Sequence, residues 1–169
     1  MKTLIFFRHG KSDWNSTAGS DHERPLNERG TAAAQAMGRF LQNSGQTPTR
    51  ALSSSAVRAY TTLEIAREAG EWHCEVRVTP QLYDSTPELV LTEIQKEDDG
   101  ADSLLLVGHE PTWSRLVALF TGADVRFPTA AMARIDSPAT AWSEVSFESG
   151  ALSWLVLPKL FIRGDPDVV

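Results

Sequence analysis

Six short apolar runs punctuate the chain, at 3–7, 51–53, 76–79, 103–107, 131–135 and 151–157, each of strand length. Stretches with a helical period separate most of them. Ala33, Ala36, Met37, Phe40 and Leu41 share one stripe after Asn27, a suitable N-cap, and before Gly45. Ala56, Ala59, Leu63 and Ala66 form a second stripe that stops at Gly70. A third helix is predicted to open at Thr86-Pro87-Glu88, because proline suits a first turn, and it carries Val90, Leu91 and Ile94. A fourth follows Pro111, with Trp113, Leu116, Val117 and Phe120 packing before Gly122. Strands alternating with helices predict an α/β fold, a three-layer sandwich whose mostly parallel central sheet is flanked by helices. The last two strands have no clear helix between them, which predicts antiparallel pairing at an edge. With no repeat and no long linker, 1–169 reads as one domain, of which 158–169 is a C-terminal tail.

Open parallel sheets bind ligands beyond the carboxyl ends of their strands. Two histidines fall there: 4–7 runs into Arg8-His9-Gly10, and 104–107 runs into Gly108-His109-Glu110-Pro111. Each stands beside a glycine that lets the backbone approach a ligand. Either histidine alone could be a satisfied structural residue; two in equivalent corners predict a shared site. A third strand end, Ser53-Ser54-Ser55-Ala56-Val57-Arg58-Ala59, leads into a helix N-terminus, where free N–H groups favour an anion. Arg58 in that first turn opposes the helix dipole unless something anionic faces it; a solvated surface arginine is the alternative.

The segment 10–27 exceeds the usual strand-to-helix connection of about two to six residues, and such long loops are often functional. Within it Arg24, followed by Pro25, is a candidate phosphate contact, while Asp13, Asp21 and Glu23 read as loop caps or solvated charges. His22 and His73 read as surface residues, Trp14 as bordering a pocket, Trp113 as core and Glu110 as a cap.

Composition narrows the partners. Sixteen basic and 22 acidic residues give a net charge of −6, so neither nucleic acid nor a membrane is an expected partner unless a local patch reverses the sign. Twelve of the basic residues are arginine, whose planar fork suits phosphate oxygens, although genome composition produces the same bias. The single cysteine, Cys74, can form no internal disulfide and has no partners for a zinc cluster, which points to a reducing, cytoplasmic location. The apolar runs are too short to span a bilayer, and the one before Arg8 is too short for a signal peptide.

Taken in order, Arg8-His9-Gly10, Arg24-Pro25-Leu26-Asn27-Glu28-Arg29-Gly30, Ser53-Ser54-Ser55-Ala56-Val57-Arg58-Ala59 and Val107-Gly108-His109-Glu110-Pro111-Thr112 resemble the histidine phosphatase superfamily, and its small SixA-type branch in particular. The resemblance extends from Thr3 to about Pro158 and implies a phosphoglycerate mutase-like fold. It implies that His9 is phosphorylated during turnover and that Arg8, Arg58 and His109, with Arg24 added, surround the phosphate. Asn15 matches a phosphate-contacting asparagine of relatives whose first motif continues to Trp-Asn. Asp84 stands where the family places a general acid; on the residues alone it could equally cap the helix near Thr86.

Chemistry is consistent with these roles. Phosphoryl transfer needs positioning and charge stabilisation, which arginine forks and a histidine N–H supply, and His9 must attack as neutral imidazole with its other nitrogen pinned. No metal and no cofactor are expected. The leading expectation is a phosphatase acting on phosphohistidine or another phosphorylated protein side chain. A small-molecule phosphoester phosphatase or mutase is the alternative, disfavoured because 59–108 is too short for a sizeable cap. A non-catalytic phosphate-binding module and a metal-dependent hydrolase rank lower. The sequence leaves the oligomeric state open.

Overall fold

The computed structural model describes residues 1–162. Its strands are β1 (Lys2–Arg8), β2 (Arg50–Ser54), β3 (Glu75–Thr79), β4 (Ser103–Gly108), β5 (Met132–Ser137) and β6 (Ala151–Val156). Its helices are α1 (Glu28–Asn43), α2 (Val57–Ala69), α3 (Pro87–Gln95) and α4 (Thr112–Thr121), and short 3-10 turns occupy Pro80–Leu82, Trp142–Glu144 and Pro158–Leu160. The six strands form one sheet in the order β3-β2-β4-β1-β5-β6. β3, β2, β4 and β1 run parallel, whereas β5 runs antiparallel to β1 and β6 antiparallel to β5. The antiparallel part is therefore wider than the expected edge pair, because β5 reverses against a central strand.

Alternation along β1 splits the core into two layers. Leu4 and Phe6 join Leu104 and Leu106 of β4 under α3 and α4, where Val90, Ile94, Trp113, Leu116 and Phe120 are buried. Ile5 and Phe7 join Leu105 and Val107 under α1 and α2, against Met37, Leu41, Leu63 and Ala66. A strand buried on both faces has no polar side, which is why these runs read as continuous apolar segments. The side chain of Asn27 accepts from the Gly30 N–H to start α1, that of Thr86 accepts from Leu89 to start α3, and Gly122 closes α4 with φ of 76°.

Beyond β6, the tail begins with Pro158 buried and the Phe161 ring stacked on Phe40 at 5.2 Å. The rest of the expected tail, 163–169, lies outside the described residues. Among the described residues, no helix is long and apolar enough to cross a membrane.

Candidate active site

Strand order brings the site together. β1 and β4 are parallel neighbours with Arg8 opposite Gly108, so His9 and His109, each one residue further on, leave the sheet side by side. Their ring centroids are 5.1 Å apart. β2 lies on the other side of β4, with Ser53 opposite Val107, and delivers Ser54 and then Arg58 to the same edge. A cavity of about 820 Å³ opens there, lined by Arg8, His9, Arg24, Arg58, Asp84 and His109 among others.

His9 is 7% exposed. Its Nδ1 lies 2.7 Å from the carbonyl oxygen of Gly10. A carbonyl only accepts, so Nδ1 carries the proton and Nε2 keeps its lone pair, 3.4 Å from the Nε of Arg58. Burial is the main cause of a pKa lowered to about 3; the hydrogen bond to Gly10 works against it, while His109, Arg58 and Arg8 add to it. The ring is neutral at ordinary pH.

His109 is prepared differently. Its Nε2 is 2.8 Å from the hydroxyl of Ser54, and that hydroxyl already accepts from the Ala56 N–H. Burial first, and Arg58 next, lower the His109 pKa to about 4. Its Nδ1 and the Nε of Arg8 are buried without a hydrogen-bond partner among the described residues. Arg8 is anchored by Nη1 on the Phe127 carbonyl at 2.9 Å, and burial works against its charge with Glu110 opposing. An unpartnered Arg8 Nε–H, with an unpartnered imidazole nitrogen in the same site, suits an anionic ligand.

The anion in front of Arg58 comes from the protein. Arg58 donates through Nη1 to the Asp21 carbonyl at 2.7 Å and through Nη2 to the Asp21 carboxylate at 3.1 Å. Arg24 pairs with the same carboxylate at 2.8 Å, reaches the Ser12 hydroxyl, and stacks on Trp14 at 3.7 Å. Tyr83 donates to Asp21 at 3.0 Å, and hydrogen bonding from Arg24 is the leading cause of an Asp21 pKa near 2. Asp21, exposed in the loop as expected, is thus also a counter-ion to two site arginines. His22, expected at the surface, is half-buried, with Nε2 2.9 Å from the Ser55 hydroxyl and its ring against Tyr83. Its carbonyl takes the first N–H of α2, so the loop, and not a free helix end, faces that terminus.

The remaining expectations divide. Asp84 lines the cavity, is exposed, and has φ of 47°, a left-handed conformation that costs of order 1 kcal/mol outside glycine. It does not cap α3, since Thr86 does. Asn15 is exposed, with its N–H on the Asp13 carboxylate, and is not part of the cavity wall. Gly10 serves packing more than ligand approach: a Cβ there would lie 2.7 Å from the Gly30 carbonyl oxygen. Sequence reasoning missed Ser54, Tyr83 and the pairing of Asp21; the available signals were the spacing of Asp21 before Arg24 and the position of Tyr83 beside Asp84. Among the described residues, no group of three or more His, Cys, Asp or Glu is placed to hold a metal ion.

Residues 4–86 match the model of the histidine phosphatase superfamily (branch 1). An uncharacterized protein of Mycobacterium tuberculosis is 32% identical over 163 residues, covering 90% of this chain and 99% of its own. The chain belongs to the histidine phosphatase superfamily. Solved structures of this superfamily superpose along its length. A protein from Nakamurella multipartitia assigned as a phosphohistidine phosphatase SixA is 25% identical, with a TM-score of 0.80 over 94% of this chain and 96% of that one. The protein histidine phosphatase SixA complexed with tungstate is 26% identical, with a TM-score of 0.79 over 92% and 97%. The fold is phosphoglycerate mutase-like and of the SixA type, and the chain is a phosphatase of this superfamily.

Proposed function

We propose that the chain hydrolyses phosphohistidine in proteins through a covalent intermediate on Nε2 of His9. The observation that carries this reading is the pinned, neutral His9, its unprotonated Nε2 facing Arg58 inside a ring of Arg8, Arg24, Arg58 and His109. In the first step the Nε2–P bond forms as the substrate P–N bond breaks, and the substrate ring, already protonated from solvent on its other nitrogen, leaves as neutral imidazole. Arg8 and Arg58 hold the equatorial oxygens, His109 contributes an N–H, and Arg24 adds a further contact. Water then attacks phosphorus, the Nε2–P bond breaks, and inorganic phosphate leaves. An imidazole leaving group has a conjugate-acid pKa of about 6.5, so it needs little help from an acid. Asp84, exposed at the margin, is assigned as general acid only for more basic leaving groups.

The short segment between α2 and β4, holding β3, one 3-10 turn and α3, leaves the mouth open and supports a macromolecular substrate. One continuous sheet supports reading 1–169 as a single domain, and the lone cysteine supports a cytoplasmic location. The test is rapid quench with labelled substrate, followed by a panel of phosphohistidine, phosphotyrosine and sugar phosphate substrates. The expected result is an acid-labile, alkali-stable phosphate on His9 and the highest kcat/KM on phosphohistidine. A label on His109, or full turnover by His9→Ala, would overturn the assignment.

A further inference from the structure

Outside the ring that surrounds His9, the cavity mouth carries three more cations, Lys11, Arg115 and Arg126, all exposed. Lys11 lies two residues after His9, Arg115 is one turn into α4, and Arg126 adjoins Phe127, whose carbonyl anchors Arg8. Among the described residues, none of the three makes a side-chain hydrogen bond or ion pair. Elsewhere Arg50, Arg67, Arg77 and Arg134 each pair with a carboxylate. The exposed Arg39 and Lys159 do not, among the described residues, but they lie outside this cavity, so the three at the mouth are distinguished by lining it together. The carboxylates of the mouth do not outweigh its cations: Asp21 pairs with Arg24 and Arg58, and Glu110 and Asp84 leave an excess of positive charge over Arg8, Lys11, Arg115 and Arg126. A chain of net charge −6 thus presents a positive mouth at this one edge.

We propose that Lys11, Arg115 and Arg126 form an outer subsite for a second anionic group on the substrate, a carboxylate or phosphate carried by the leaving group. This deepens the phosphatase reading and rests on it. In-line displacement puts the leaving group on the side of phosphorus away from His9 Nε2, and therefore toward the mouth. The inner ring already neutralises the transferred phosphoryl group, so the outer charges act on what is attached to it. The substrate class is then an acidic-flanked phosphopeptide or a small phosphorylated acid, two sources of the same chemistry.

The experiment compares kcat/KM for pairs differing only in the second anion: phosphohistidine peptides with glutamate or glutamine flanks, and phosphoglycolate against ethyl phosphate. An exposed ion pair gives about a twofold to fivefold effect, so the anionic member should be favoured by roughly tenfold. That ratio should shrink toward one in 0.5 M salt and in the triple variant K11Q/R115Q/R126Q. Preference in either series supports the subsite and names the source. Equal rates in both series, or a preference that survives the triple variant, overturns it. The salt titration uses the wild-type chain, so misfolding of the variant leaves the test intact. The same flanks on phosphotyrosine separate the two readings, since a charge preference there without phosphohistidine hydrolysis sinks the substrate assignment alone.

Discussion

Burial keeps His9 neutral, and the groups that orient its ring each do a second job. Gly10 supplies the carbonyl that fixes the tautomer, and Arg58 places Nε at 3.4 Å from Nε2 while its two terminal nitrogens hold Asp21. Lysine keeps the charge of Arg58 but cannot form this fork. Arg58→Lys should therefore be nearly as damaging as Arg58→Ala, with a loss of about 3 kcal/mol of transition-state stabilisation, about a hundredfold in kcat. Steady-state kinetics of the two variants check this, and near wild-type turnover by Arg58→Lys would remove Arg58 from the phosphate clamp. Asp84 gives a second residue-scale prediction. Because Thr86 caps α3, Asp84→Asn leaves the helix start intact and isolates the acid role. It should slow alkyl phosphate cleavage by about a hundredfold and phosphohistidine far less. Equal losses on every substrate would point instead to its left-handed backbone position.

At the scale of elements, the long connection from β1 to α1 turns loop residues into site residues. It is closed by a bridge between Ser12 and Leu26, by the Asp13 N–H on Pro25 and by the Asn27 N–H on Lys11. Its far end then lies against α2, where Asp21 and His22 meet Arg58 and Val57. The near end packs backbone to backbone on α1: a Cβ on Gly30 would lie 2.2 Å from the Lys11 carbonyl oxygen. Gly30→Ala must push the strand-to-loop corner, and with it the Gly10 carbonyl that orients His9. We expect a kcat loss on the order of a hundredfold, as for displacements of about 1 Å near the chemistry, with a stability loss of about 1–3 kcal/mol. Turnover measured beside urea unfolding checks both numbers. Wild-type kcat in a destabilised Gly30→Ala would show that the corner shifts without moving the nucleophile.

At the scale of the whole molecule, the two buried histidines make stability depend on pH. Their folded pKa values, about 3 and about 4, lie below the unfolded value near 6.5. Between those limits the unfolded chain binds more protons, so stability rises with pH and is lost on acidification from about pH 7 toward pH 4. Near pH 5 the excess from these two groups approaches two protons. His109→Asn removes one of them, so the slope of unfolding free energy against pH should fall by about 1.4 kcal/mol per pH unit. Urea unfolding at a series of pH values measures the slope; an unchanged slope in the variant would mean that His109 is protonated in the folded state.

Much of this protein is legible in its sequence because the signals are local. Continuous apolar runs mark β1 and β4 as buried on both faces, a period of about 3.6 marks α1, α2 and α4 as one-sided, and the caps at Asn27, Thr86 and Gly122 set the helix ends. Arg8, His9, Arg58 and His109 are visible as chemistry at strand ends for the same reason. What the tertiary structure decided is adjacency. Periodicity says that a strand is buried but not which strand is its neighbour, and only the order β2-β4-β1 puts Ser54, His109 and His9 in a row. Asp21 and Asn15 show the same limit from opposite sides. A polar residue in a long loop acquires its role from the groups the loop closure sets against it, and those lie at Arg58 and Tyr83, 37 and 62 residues along the chain from Asp21.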